Sequence, residues 1–207
     1  MSTRRIGLLG GSFNPAHEGH RYISLLALKR LCLHEVWWMV SPQNPLKPRD
    51  DMAPFADRIA AARRSAGHPR IRVTAIEKAL GTVYTADTLR ALLPRFPDCR
   101  FVWLMGADNL GQIWEWKDWQ RIFTLVPIAI FARPSYSYDV LSGKAAMRFA
   151  ADRVWESRAR NLVHMDPPAW MFFHTRPHQG SATRIRAYRA AANKQFLAIP
   201  ADEPANI

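Results

Sequence analysis

The chain has 207 residues, 48% of them apolar and 22% charged, a length and mix that predict one globular domain with a real core. Its two cysteines, Cys32 and Cys99, lie too far apart in sequence to suggest a disulfide framework or a metal pattern, and read as reduced, buried thiols. No apolar run approaches the length of a membrane span, no apolar leader follows the basic opening Met1–Arg5, and a cytoplasmic protein is expected.

A formal net charge of +12, carried mostly by arginine, favours anionic partners. Nucleic acid, nucleotides and pyrophosphate all qualify, and no RNA-recognition, KH or zinc-finger signature selects the first. From the start of the chain, Arg5–Leu9 reads as a buried strand, followed by a glycine-rich turn and an apolar-periodic helix from about Gly19 to Leu31. Val36–Val40 is a second strand. Ser41–Pro54 holds four prolines and is a loop. Phe55–Ser65 is helical, Ile71–Thr74 is a short strand, and Thr85–Leu93 is a helix capped by Thr85 and stopped by Pro94. Phe101–Met105 and Ile128–Ala132 are buried strands, ending at Gly106 and at Arg133-Pro134. Asp139–Arg160 has the pattern of one or two long amphipathic helices, Trp170–Phe173 is a last strand, and a final helix starts at Ala182. Short apolar strands alternating with helices predict an α/β fold, a Rossmann-like doubly wound parallel sheet with helices on both faces. Ligands of such sheets bind at the carboxyl ends of the strands, where each motif below falls.

Gly10-Gly11-Ser12-Phe13-Asn14-Pro15-Ala16-His17-Glu18-Gly19-His20 carries the strongest signal. Two glycines after a strand let backbone N–H groups approach a phosphate, and the helix start nearby points its positive end at the same place. His17 and His20 flank that start as hydrogen-bond donors. The dinucleotide fingerprint Gly-x-Gly-x-x-Gly is absent, and the one residue between Glu18 and His20 is one too few for a zinc-protease helix. Near the other end, Ser181-Ala182-Thr183-Arg184-Ile185-Arg186 opens the last helix with capping hydroxyls and phosphate-gripping arginines.

Together these segments resemble the two signatures of the nucleotidyltransferase superfamily. Gly11, Phe13, Pro15, His17, Gly19 and His20 match Gly-x-Phe-x-Pro-x-His-x-Gly-His, and Ser181, Thr183 and Arg186 match Ser-x-Thr-x-x-Arg. Four further segments are similar to the bacterial nicotinate-mononucleotide adenylyltransferases: Asn44-Pro45-Leu46-Lys47, Tyr84-Thr85-Ala86-Asp87-Thr88, Gly106-Ala107-Asp108-Asn109 and Trp116-Lys117-Asp118-Trp119. Leu46 stands where many relatives have His, and Gly180 where they have Ile.

The resemblance implies transfer of AMP from ATP to nicotinate mononucleotide, with Mg²⁺ arriving with ATP and no metal cage of the protein's own. It implies catalysis by His17, His20 and Arg186, and ATP binding by Gly10, Gly11, Ser12, Phe13, Gly106, Asp108, Ser181 and Thr183. The mononucleotide would meet Asn44, Lys47, Tyr84, Thr85, Trp116 and Arg133, with Trp114 and Trp119 as rivals for the stacking ring. Residues 1–207 would form a single nucleotidyltransferase domain, on which a helical segment from about 182 to 199 packs. Other acceptors (nicotinamide mononucleotide, phosphopantetheine), cytidylyl transfer, and a non-catalytic basic RNA-binding protein are the alternatives. The oligomeric state is open.

Overall fold

A computed structural model describes residues 3–43, 52–133 and 138–175. Asn44, Leu46, Lys47, Gly180, Ser181, Thr183, Arg186 and the final helix lie outside the described residues. Seven parallel strands form one sheet in the order β3-β2-β1-β4-β5-β7-β6. These are β1 (Arg4–Gly11), β2 (Glu35–Val40), β3 (Ile71–Thr74), β4 (Cys99–Gly106), β5 (Ile128–Phe131), β6 (Arg153–Val154) and β7 (Trp170–Phe173). The strand order reverses between β1 and β4, where Leu8 pairs with Trp37 on one side and Trp103 on the other. That reversal opens a crevice at the carboxyl ends of β1 and β4.

Side chains alternate across the sheet and feed two cores. Leu9, Trp38, Val102 and Phe131 face α1 (Glu18–Arg30), α2 (Phe55–Ala66) and the 3₁₀ stretch Glu156–His164. Leu8, Trp37, Trp103 and Ile130 face α3 (Ile76–Leu80), α4 (Thr85–Leu92), α5 (Ala107–Gln112), α6 (Trp119–Leu125) and α7 (Lys144–Arg148). The doubly covered parallel sheet expected from the sequence is thus present, and Trp37, Trp38 and Trp103 are core residues.

Several local expectations are corrected. β1 runs on through Gly10 and Gly11, which pair with Met39 and Val40, so these glycines end a strand and do not form a turn. A Cβ on Gly10 would lie 2.5 Å from the Trp103 ring, which makes its missing side chain a packing requirement between β1 and β4. Tyr84, not Thr85, occupies the N-cap of α4, and no side chain caps that helix. Residues 139–160 form no long α-helix. The five-residue α7 lies between 3₁₀ turns at Tyr138–Ser142 and Ala150–Asp152, and β6 follows. Gly143 occupies the N-cap of α7 in an extended conformation and breaks the pattern before that helix, and the 3₁₀ turns recur at i, i+3 and so imitate an amphipathic helix. Cys32 is exposed and Cys99 half-buried, both unpaired.

Candidate active site

The segment after β1 is held from below by aromatic packing. Phe13 is buried at φ +46°, and its ring stacks on Trp38 with centroids 5.1 Å apart. The same ring meets His20 at 4.7 Å, and His20 also lies 5.9 Å from Trp38, so the three rings form one cluster. Phe13 therefore supports a histidine with its side chain.

His17 is the N-cap of α1 and His20 its third residue, and the two cap reciprocally. His17 Nδ1 accepts from the Gly19 amide at 3.1 Å, and His20 Nδ1 accepts from the His17 amide at 3.2 Å. With both Nδ1 atoms accepting, each neutral ring carries its proton on Nε2 and is a donor there. The ring centroids are 3.8 Å apart, so the two donors form one unit. A core chain fixes the helix that carries them: Trp38 Nε1 donates to Ser24 Oγ at 2.8 Å, and Ser24 Oγ donates to the His20 carbonyl at 2.7 Å. Ser24 and Trp38 are fully buried.

Arg58 on α2 joins the loops at two strand ends. It is 3% exposed and donates to the carbonyls of Ser12, Ser41, Pro42 and Ala53 at 2.7–3.0 Å. Burial lowers its pKa, and the four carbonyls supply what water would have given its guanidinium. The sequence reading missed Arg58. The available signal was a charge on the apolar stripe Phe55, Ile59, Ala62, Ala66 of an otherwise ordinary amphipathic helix.

At the end of β4, Asp108 and Arg133 meet. Arg133 Nη1 donates to Asp108 Oδ2 at 3.0 Å, while Asp108 Oδ1 is buried with no partner among the described residues. A Cβ on Gly106 would fall 2.2 Å from Asp108 Oδ1 and 2.9 Å from Arg133 Nε, so only glycine lets this pair close across the strand end. Sequence reasoning placed the two residues against different ligands, whereas the structure joins them.

Across the crevice, Tyr84 is 40% exposed, and the Lys117 ammonium lies 4.8 Å from its ring centroid. Lys117 also pairs with Asp87 at 3.1 Å, as does Arg90 at 3.0 Å. Thr85 is the first residue of α4 beside this group. Trp116 is half-buried against the core below α4 and α6. Trp114 is 43% exposed under Lys144, and Trp119 is a half-buried ring that packs edge-on against Phe123 and Phe149 at the margin of the core. Among the described residues no three His, Cys, Asp or Glu side chains gather to hold a metal ion, and no helix is long and apolar enough to cross a membrane.

A parallel sheet with two donor histidines at its reversal point defines a nucleotidyltransferase. The chain belongs to the cytidylyltransferase-like family, whose model matches residues 8–188. Among similar proteins, a probable nicotinate-nucleotide adenylyltransferase of Methylorubrum extorquens is 48% identical over 182 residues, covering 88% of this chain and 98% of the relative. A protein of the same description from Cereibacter sphaeroides is 52% identical, covering 88% of this chain and 96% of its own. The solved nicotinic acid mononucleotide adenylyltransferase of Plasmodium falciparum, complexed with NaAD, is similar in fold with a TM-score of 0.66 at 16% identity. That likeness spans 89% of this chain and 83% of the other.

Proposed function

We propose that the protein transfers the AMP moiety of ATP to nicotinate mononucleotide, giving nicotinate adenine dinucleotide and pyrophosphate on the way to NAD. The observation that carries this reading is the reciprocal cap of His17 and His20 at the carboxyl end of β1. An acceptor phosphate is already anionic near neutral pH and needs no general base. Its oxygen attacks the α-phosphorus in line, the bond from that phosphorus to the bridging oxygen breaks, and pyrophosphate leaves with the bonding electrons. Catalysis then consists of positioning and of donors aimed at the developing charge.

In this reading His17 and His20 donate to the α- and β-phosphate oxygens. Arg186, Ser181, Thr183 and the backbone of Gly10, Gly11, Ser12 and Phe13 hold the leaving group. Gly106 and Asp108 serve the ATP side, where the unpartnered Asp108 Oδ1 is a ready acceptor for a ribose hydroxyl. Asn44, Lys47 and Arg133 serve the acceptor phosphate, Arg133 while paired to Asp108. Tyr84 and Thr85 receive the pyridine carboxylate, and Trp116 the ring face. Mg²⁺ would arrive with ATP, held by phosphate and water rather than by side chains of the chain, and would offset phosphate charge. In this reading residues 1–207 act as one domain, in the cytoplasm.

A pyrophosphate-release assay with ATP and Mg²⁺ tests this, run with nicotinate mononucleotide, nicotinamide mononucleotide and phosphopantetheine in parallel. Turnover with the first alone is expected. Turnover with phosphopantetheine would move the acceptor assignment, and silence with all three, with salt-sensitive RNA binding, would overturn the catalytic reading.

A further inference from the structure

On the acceptor side of the crevice an exposed cation lies beside a fixed backbone. The Tyr84 carbonyl, at the N-cap of α4, accepts from the Thr88 amide at 2.9 Å and from the Thr88 hydroxyl at 3.1 Å. A hydroxyl has one proton to give, so the Thr82 hydroxyl, 2.8 Å away, donates to Thr88 in turn. Thr88 is fully buried, and the Thr82 amide donates to the carbonyl of buried Glu77 on α3 at 3.0 Å. Against the Tyr84 ring lies Lys117, in the turn between the 3₁₀ stretch Ile113–Glu115 and α6. The Trp119 amide closes that turn on the Trp116 carbonyl at 3.2 Å, and Asp118 takes φ +51° within it.

The Lys117 ammonium is 4.8 Å from the Tyr84 ring centroid and 3.1 Å from Asp87 Oδ2, and its side chain is half exposed. Asp87 gives its other oxygen to Arg90 at 3.0 Å. One carboxylate thus holds two cations, each on its own oxygen, and Lys117, Arg90 and Asp87 together carry one net positive charge. Asp87 keeps Arg90 when Lys117 turns away, and a part-exposed pair of this kind costs little to give up. In the chain Lys117 follows Trp116, and in space it touches Tyr84. It therefore links the ring assigned to stack on the pyridine with the segment assigned to the pyridine's carboxyl substituent. An anion bound there would meet the unbalanced charge.

We propose that Lys117 determines specificity for a carboxylate on the acceptor: its ammonium leaves Asp87 for the pyridine carboxylate, and Arg90 stays with Asp87. The proposal rests on the reading of Trp116, Tyr84 and Thr85 as acceptor ligands. Nicotinate and nicotinamide mononucleotides share ring, ribose and phosphate and differ in this one substituent, a carboxylate or an amide. The first amides of α4, which no side chain caps, can donate to an oxygen of either. An ammonium gains more from the charged one. Discrimination by charge therefore falls to Lys117.

The test is binding of both mononucleotides to the full chain by titration calorimetry, nicotinate mononucleotide directly and nicotinamide mononucleotide by displacement, for the wild type, Lys117→Met and Lys117→Arg. The readout is the ratio of the two dissociation constants, in which shared phosphate and ribose contacts cancel. Lys117→Met should weaken nicotinate mononucleotide by roughly 5–20-fold, less than the loss of a buried charged hydrogen bond because the lysine is half exposed, and move nicotinamide mononucleotide by under about 2-fold. Lys117→Arg, which keeps the charge, should hold the ratio within about 3-fold of wild type. Raising salt from about 50 to about 500 mM should shrink the wild-type ratio and leave that of Lys117→Met unmoved. Equal weakening of both ligands by Lys117→Met would mean that the lysine only braces Tyr84, and overturns the proposal, as does an unchanged ratio. If Lys117→Met does not fold, a wild-type ratio that salt does not move overturns it. A wild type that neither binds nicotinate mononucleotide nor releases pyrophosphate from ATP in its presence sinks the functional reading and this proposal together, whereas an active wild type whose ratio is independent of Lys117 sinks only the proposal.

Discussion

The histidine side of the crevice and the Tyr84 side are built differently. His17 and His20 each have a ring nitrogen on a backbone amide, and His20 also has the Phe13 ring against it and a buried chain through Ser24 to Trp38. Tyr84, Trp114 and Lys117 lie near the surface, held by cation–π contacts and part-exposed ion pairs of the kind worth little in water. The difference teaches where precision is needed. Donors that meet developing charge must be in place beforehand, because reorganisation during the reaction raises the barrier. A stacking surface can be completed by the ligand that covers it.

The largest test of this contrast is Arg58→Ala, which leaves four carbonyls near the histidine side without their donor. It should cost about 3 kcal/mol or more in denaturant unfolding. A loss under about 1 kcal/mol would mean that the loops after β1 and β2 hold without it. His20→Ala should lower kcat by roughly 10²–10³, the scale of one lost transition-state donor, and unchanged turnover would remove His20 from the chemistry.

Glu77→Gln sharpens the comparison through stability. The folded carboxyl has its pKa raised from 4.5 to about 7, so the native state binds the proton more tightly than the unfolded one. Its contribution is present at acid pH and lost as pH rises from about 4.5 to about 7. The variant should therefore gain on wild type across that window, by up to about 3 kcal/mol at pH ~8, and match it near pH ~4. A pH-independent difference in Tm would show that the carboxyl does not titrate there. The smallest effect belongs to the exposed side: Trp116→Ala should raise the mononucleotide KM by roughly 2–10-fold and leave that for ATP unchanged. If Trp114→Ala does this instead, the stacking ring is the exposed one.

Six of the seven strands were legible because buried parallel strands are continuous apolar runs, and the histidine motif because its spacing places it at a helix start. The short elements were not. α3, α5 and α6 have five to seven residues, too few to show a helical period, and β6 has two. The Asp108–Arg133 pair depends on register. Because Gly106 pairs with Phe131, residues two further on in each chain segment converge, which no local pattern announces. The reciprocal histidine cap was half visible: both residues stood out, but their use of Nδ1 for the backbone appears only in the folded helix end.

The sheet also tapers. β1 and β4 in the middle have eight residues each, whereas the outermost strands, β3 and β6, have four and two. Those rims carry Arg72 and Arg153. Short, positively charged rims give a neighbouring molecule little backbone to extend and repel a second copy that tries. A wide, apolar parallel sheet is thereby protected against growing into an aggregate, a hazard set by the crowding of the solution and unrelated to the reaction at its centre.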